Sequence, residues 1–580
     1  MNSIHMIYPL QEQKRPTRSS LRSTLIRHLG LFALIAMGST ITQAQMKMDM
    51  GHGSAMLDQA RELVRSDNKA EALKLLGTVH PNDSLYDRAL QTRFYLLVDD
   101  KKFEEANTLS ILGMRAKGKL RNEFMVMHTA ILVDLEKWED ALAAADSAIV
   151  ALPGLYRPRH LRSLSLAELG RKKEALEQSM DNAKRFPYRR EAHVRLGTLA
   201  FNEGLVSQAA MAYAMAQVVR YDDDFANTLL GQNDGALGAT IEAKSEGYDL
   251  SVTGDDLSEE DLLIRSKVAM DKDYKCKPDL TYPICRQSHL LFTSIHEKKG
   301  ELKGFYSEFY GPLINEIMDQ GLFEGFIYHC LLSSTDKGVK SLASKNKSKV
   351  EAFRAKMGDV MQKHYIMFPE EEGGANVMHI YNNDGDMVGY GPGDPINSAS
   401  SGQWNYYYSN GPKRSWGNLD NDGKRTGTWS DRYESGIMSS RAEYKAGEIE
   451  GLALFYHETG ALSDSIHVVD GKRNGQVCMY YEMGGLRNCK TTVAGAWTGP
   501  VTEYYRNGAP EWTYALKEGI TEGTVKQQYN TGGTAFIGEY INDLRSGTHN
   551  EMYPDGAKKS SYSYTEGKGN GAYTKWSADG

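Results

Sequence analysis

Few residues of this 580-residue chain stand at spacings that do chemistry. Met46, Met48, Met50 and His52, in MKMDMGHG, set soft thioethers beside an imidazole, a combination suited to Cu(I). The plainer reading is an unstructured mature N-terminus, and no metal site is assigned. His296-Glu297 lacks the second histidine of a zinc-hydrolase helix, and there is no Walker loop and no CxxC pair. SKVAM at 266–270 fails as an SxxK motif. GYGPGD at 389–394 follows no clear strand and opens no helix, so it reads as a turn rather than a phosphate cradle. No catalytic residue and no cofactor is expected. Two sets remain. Tyr456, Tyr480 and Tyr504 recur at one spacing, as an outer-face stripe that would stack on sugar rings or pack across strands. Cys478 and Cys489 stand close together among five cysteines, the others being Cys276, Cys285 and Cys330.

The elements that carry these sets are defined by glycine. Gly427, Gly451, Gly475, Gly499, Gly523, Gly547 and Gly571 are spaced by 24 residues. A second series, Gly436 to Gly580, runs nine residues behind. A third, Gly423, Gly447, Gly471, Gly495, Gly519 and Gly567, stands four residues ahead, with Asp543 in the vacant place. A fixed period of this size means one supersecondary unit stacked many times. Each unit reads as a β-hairpin: a β-branched and aromatic run, a Gly-bearing turn such as Asn507-Gly508, and a second run.

Two columns share a strand face and are expected to be buried. The plus-two column is Trp404, Trp429, Ala453, Val477, Val501, Val525, His549 and Tyr573. The plus-six column is Tyr408, Tyr433, His457, Tyr481, Tyr505, Tyr529, Tyr553 and Ser577. One hairpin cannot bury its face alone, so stability comes from neighbours. About eight units would form an antiparallel meander about 75 Å long at about 4.8 Å per strand. If Tyr481 pairs with Leu486, Cys478 falls directly opposite Cys489, within disulfide reach. Cys276 and Cys285 form a second candidate pair, leaving Cys330 free. SGQWNYYYSNG, TGTWSDRYESG and TGPVTEYYRNG resemble the bacterial variant of MORN repeats. These are Gly- and Tyr-rich hairpin repeats, and one large group of them carries a toxin–antitoxin antitoxin label. The resemblance covers residues 376–580 and implies the fold.

Upstream the period changes. Ala72, Ala106, Ala141, Ala175 and Ala209 recur at 34 or 35 residues. Trp138, Ala141, Ala148 and Pro153 share a unit with WEDALAAADSAIVALP; Ala175 and Pro187 follow one unit later, and Gly197, Gly204 and Tyr213 keep the register. This is similar to a run of five tetratricopeptide repeats. The resemblance implies paired antiparallel helices, with small residues at their closest approach and a groove for an extended peptide or partner helix.

The expected organisation is multidomain α plus β. Residues 1–44 read as a signal peptide: five basic residues, the apolar run LFALIAMGSTI and a small residue at Ala44. Residues 45–53 are a disordered mature N-terminus, 54–230 the helical solenoid, 231–372 a mostly helical connecting region, and 376–580 the hairpin ladder. Cleavage takes the net charge from −7 to −11, since five bases and Glu12 are removed. That disfavours nucleic acid or an anionic membrane surface as the main partner. The run is short for a transmembrane span, and no later segment is apolar enough. The functional reading is an exported, periplasmic or extracellular bacterial scaffold, non-enzymatic, with a protein or peptide partner. The alternative is an envelope or carbohydrate module on the aromatic ladder face, and a toxin–antitoxin role ranks below both. Exported material is expected to begin at Gln45. N-terminal sequencing that found a start upstream of Leu31 would contradict the signal assignment.

Overall fold

The computed structural model describes residues 55–578, apart from 82, 84, 116–119, 221–223, 239–248, 267–281, 370–375, 395–397 and 400. The expected signal peptide and the Met46–His52 set lie outside the described residues. The chain divides into two compact units, 1–148 and 149–580, with the break inside the helix Trp138–Ala151.

The first unit is built from helices joined by short turns. Ala55–Arg65 packs against Lys69–Leu76, and Tyr86–Asp99 against Phe103–Arg115. Arg121–Asp134 and the start of Trp138–Ala151 follow. Ala72, Ala106 and Ala141 are fully buried, each in the first turn of the second helix of a pair. A methyl group is the largest side chain that such close approach tolerates, and larger ones force off-rotamer packing. Gly113 shows how tight the packing is: a Cβ there would lie 2.3 Å from the Phe124 ring.

The second unit continues the pairs with Tyr156–Glu168 against Lys172–Arg185 and Arg190–Asn202 against Val206–Val219. Ala175 and Ala209 are fully buried, and the Tyr213 ring lies over Gly197, where a Cβ would come within 2.6 Å. Pro153 and Pro187 stand two residues beyond the ends of their helices, where a missing N–H costs no ladder bond. Every residue from Val206 to Gln217 is buried, so the second helix of the last pair has no open face.

What covers it is the connecting region. Its described part is mostly helical: Ser258–Arg265, Pro283–Glu297, Phe305–Asp319, Phe323–Leu331, Lys337–Lys345 and Lys347–Tyr365. Helix starts here are capped by acids from distant segments. Asp261 accepts from the Ser207 N–H at 2.7 Å, Asp234 from Ile284 at 3.1 Å, and Asp255 from Tyr306 and Ser307 at 2.9 and 2.8 Å. A carboxylate satisfies otherwise unpaired N–H groups at the positive end of the helix dipole.

Two buried histidines bond across the same contact. His193 donates through Nε2 to the Pro187 carbonyl (2.8 Å) and accepts at Nδ1 from the Tyr310 hydroxyl (3.1 Å). His329 donates to the Gln217 carbonyl (3.1 Å) and accepts from Arg354 Nε (3.1 Å). Burial pushes both imidazoles down to about 4.

Among the described residues the C-terminal part forms a 21-stranded antiparallel sheet plus a two-stranded one. Strands pair with their sequence neighbours from Met367–Pro369 through to Thr574–Lys575, a continuous meander. Its first hairpins are fixed to the helices. The Met387 N–H donates to the Gly154 carbonyl at 3.0 Å, and the Tyr381 hydroxyl to the Arg185 carbonyl at 2.8 Å. Asp386 accepts from the Tyr156 N–H at 3.0 Å and pairs with Arg189, both carboxylate and guanidinium being buried. A core of Ile366, Met378, Trp404, Leu419 and Trp429, with Tyr188 and Tyr381 against it, closes the junction.

The histidines set a pH dependence. Their folded pKa lies below the unfolded value of about 6.5, so between about pH 6.5 and 4 the unfolded chain binds protons that the folded chain does not. The stability they contribute is present above pH 6.5 and is lost as pH falls toward 4, by up to about 1.4 kcal/mol per pH unit for each imidazole. His329→Gln should flatten the fall in urea midpoint between pH 7 and 5. An unaltered pH slope would contradict a neutral buried His329.

Candidate functional site

The repeat fixes local backbone before it fixes any surface. Between units the chain turns on two residues with positive φ: Glu518 (53°) with Gly519 (88°), and likewise Ala494 with Gly495. Two left-handed residues in succession are the requirement of the type I′ turn, which suits the twist of antiparallel strands. Asp543, following Asn542, takes this conformation at φ 61°, and its carboxylate accepts from the Thr521 N–H at 2.6 Å. A short polar side chain with a local partner is the usual substitute for glycine here.

The plus-six column does not lie on the strand face. A register shift of one residue before the turn, for example between Met479 and Tyr480, pairs Tyr480 rather than Tyr481 with Leu486. Tyr481 therefore sits in the turn, half-buried, and its hydroxyl donates to the Tyr504 carbonyl of the next unit at 2.5 Å. The same bond recurs from Tyr433 to Tyr456 (2.6 Å), Tyr505 to Gln528 (2.7 Å), Tyr529 to Met552 (2.6 Å) and Tyr553 to Trp576 (3.0 Å); His457 donates to Tyr480 at 3.1 Å. On the opposite edge the minus-four N–H reaches back to the preceding unit: Gly495 to the Arg473 carbonyl (2.9 Å), Gly519 to Trp497 (2.7 Å) and Gly567 to Arg545 (2.9 Å).

Because the register shift falls beyond them, Cys478 and Cys489 stand opposite each other. The structure joins them by a disulfide, with Cα atoms 4.0 Å apart. Cys276 lies outside the described residues. Cys285 and Cys330 are buried; Cys330 Sγ donates to Gln217 Oε1 at 3.4 Å, and burial pushes its thiol well above the usual range.

Tyr456, Tyr480 and Tyr504 do not make an open stripe. Each is half-buried, and each lends its carbonyl to the bonds just described. A second set of half-buried aromatic residues lies on the other face. There the plus-two column forms a buried floor, paired with the returning strand: Trp404 with Gly417, Trp429 with Ala442, Val501 with Tyr514, Val525 with Gly538, His549 with Tyr562. Large meets small. A Cβ on Gly417 would lie 2.5 Å from the Trp429 ring, and one on Gly538 2.5 Å from His549.

Over this floor lies the minus-two column, and it decides where the face is filled. Arg425 sits 4.3 Å from the Trp429 ring centroid and pairs with Asp431 at 3.3 Å. Arg545, two residues before Gly547, bonds the Tyr564 hydroxyl at 2.9 Å. Between them in the column, Thr521 takes the equivalent place beside Val525 with a much shorter side chain. A cavity of about 450 Å³ results, lined by Lys490, Trp497, Trp512, Tyr514, Thr521 and Tyr540 among others. Lys490 pairs with Glu503 at 3.4 Å, and Glu503 accepts from the Tyr514 hydroxyl at 2.7 Å. Burial acts to lower the Lys490 pKa, but Tyr514 and Glu503 outweigh it and hold the ammonium above its usual value.

No family model matches this chain. No curated protein matches it either. Among solved structures it is similar to "MamA RS-1 ArsTM double mutant" at 16% identity, TM-score 0.25, over 28% of this chain and 92% of that one. It is similar also to "MamA 41-end from Desulfovibrio magneticus RS-1" at 17% identity, TM-score 0.24, over 28% and 90%. Both likenesses fall on the helical part and reach neither the ladder nor its cavity. Among the described residues no helix is long and apolar enough to cross a membrane, and no group of three or more His, Cys, Asp or Glu could hold a metal ion.

The residues that shape the cavity escaped the sequence reading because they depart from their columns instead of obeying them. Following the minus-two column along the repeat, Arg425, Ile449, Arg473, Trp497, Thr521, Arg545, would have marked Thr521 as the short member.

The tyrosine bonds are testable without disturbing the floor. Tyr505→Phe and Tyr529→Phe each remove one hydroxyl donor and are expected to cost about 0.5–1.5 kcal/mol. The check is the shift in urea midpoint, and unchanged midpoints in both would show that the edge bonds contribute nothing.

Proposed function

We propose that this chain is an exported, non-enzymatic interaction scaffold of the bacterial envelope or its exterior, in which tetratricopeptide-type repeats take a protein or peptide and a MORN-like ladder offers a second surface. The observation that carries the reading is the junction within residues 149–580. The buried Asp386–Arg189 pair, the backbone bonds at Gly154 and the shared core around Trp404 and Trp429 tie the helical array to the first hairpins. Within that unit the helices and the first hairpins are held in fixed relation; a loose tether would not require a buried ion pair, which is strongly destabilising once one partner is removed.

The groove assigned to a partner is that of the helices Tyr86–Asp99, Phe103–Arg115 and Arg121–Asp134, since the connecting region covers Val206–Val219. The signal reading of residues 1–44 supports export, and the net charge argues against a polyanion as partner.

The test uses the full mature chain as bait in an envelope fraction of the source cell. Photo-crosslinkers are placed on the exposed positions Leu112 and Val150 and, separately, on Tyr573. A discrete protein is expected to crosslink through the helical positions. Crosslinks confined to Tyr573, or none above an unrelated bait, would overturn the assignment of the helical groove.

A further inference from the structure

We propose that the ladder cavity is a binding site for an uncharged sugar ring within a glycan, which goes beyond the scaffold reading and does not depend on it. Four aromatic side chains converge there, Trp497, Trp512, Tyr514 and Tyr540, around about 450 Å³. That volume lies in the range of small-molecule sites, about 300–1,000 Å³. Indole and phenol faces suit ligands that present an apolar C–H face. The site also carries polar groups: Lys490 and the Tyr514 hydroxyl are both held by Glu503, at 3.4 and 2.7 Å. An ammonium has three donor hydrogens, and with Tyr514 and Glu503 as partners one remains for a ligand hydroxyl. Because Glu503 offsets the charge of Lys490, the site offers no net charge to attract an anion. A ring with one apolar face and a hydroxylated rim satisfies all of these conditions at once.

The next unit argues against an extended peptide. A strand or polyproline segment needs a continuous groove. Here the face is filled beyond the cavity by His549, ringed by Phe536, Tyr540, Tyr562 and Tyr564 within 6.1 Å between centroids. Near the start of the ladder Arg425 lies over Trp429 and Tyr444. The gap is closed on its C-terminal side, and it falls where Thr521 replaces the long side chain found in the equivalent place at Arg425 and Arg545.

That origin supplies the decisive variant. Thr521→Arg restores the side chain of the filled units and should close the cavity while keeping the fold. Trp512→Ala removes one aromatic wall, and Tyr456→Ala, on the other face, is the control. The full mature chain is screened on an array of neutral and anionic oligosaccharides, and the strongest neutral hit is titrated by tryptophan fluorescence. A proline-rich decapeptide is titrated alongside, and melting curves verify folding of each variant. Binding of a neutral glycan is expected, weakened about tenfold or more by Thr521→Arg and Trp512→Ala and unchanged by Tyr456→Ala. The proposal is overturned if no neutral glycan binds, if only anionic glycans bind, or if binding survives a folded Thr521→Arg variant. It is equally overturned if the decapeptide, and not a glycan, is the ligand lost in Thr521→Arg.

Discussion

A 24-residue hairpin has two strands, one apolar face and nothing of its own to set against that face. Every other property of the ladder follows from how successive hairpins are locked together. Main-chain pairing joins the strands, and both rows of turns are tied as well: tyrosine hydroxyls reach forward to a carbonyl of the next unit along one edge, and turn N–H groups reach back along the other. With strand ends tied at both margins, register cannot slip without breaking bonds at every turn. Only with register held can the floor alternate large and small, as Trp429 over Gly417 and His549 over Gly538 require.

Much of this was legible from residue spacing, for a physical reason. Glycine columns report a local demand, positive φ, that few other residues meet, and buried alanines report a close helix approach that larger side chains overpack. Such demands repeat identically in each unit, so the period exposes them. The tyrosine column misled because its partner is a carbonyl 23 residues away and a one-residue shift moves it off the strand. Alternation alone places it on the floor. The long-range caps from Asp234, Asp255 and Asp261, and the pairing of Asp386 with Arg189, left no local pattern at all, because each joins segments distant in sequence. Two helices of the connecting region, Pro283–Glu297 and Phe305–Asp319, start where such acids arrive.

The junction shows what such contacts are for. Asp386 lies in the first hairpin loop, a position where an exposed turn residue would serve equally well for the hairpin alone. Burying it against Arg189 and the Tyr156 N–H makes sense only as a means of fixing the ladder to the helices in one orientation. Desolvating both charges is costly, and the hydrogen bonds to each offset that cost only in the docked arrangement. The pair thus acts on specificity of docking more than on net stability.

The cystine bears on how the sheet would yield to tension. A meander pulled from its C-terminal end peels one strand at a time, each unit releasing 24 residues, about 80 Å of contour at about 3.3–3.6 Å per residue. The bond from Cys478 to Cys489 spans a sequence separation of 11, so force passes through the sulfurs and the intervening turn stays slack. The extension gained from that hairpin is shorter by about 35 Å. An oxidising compartment thereby gives the ladder one stiff rung in a series of otherwise equal ones.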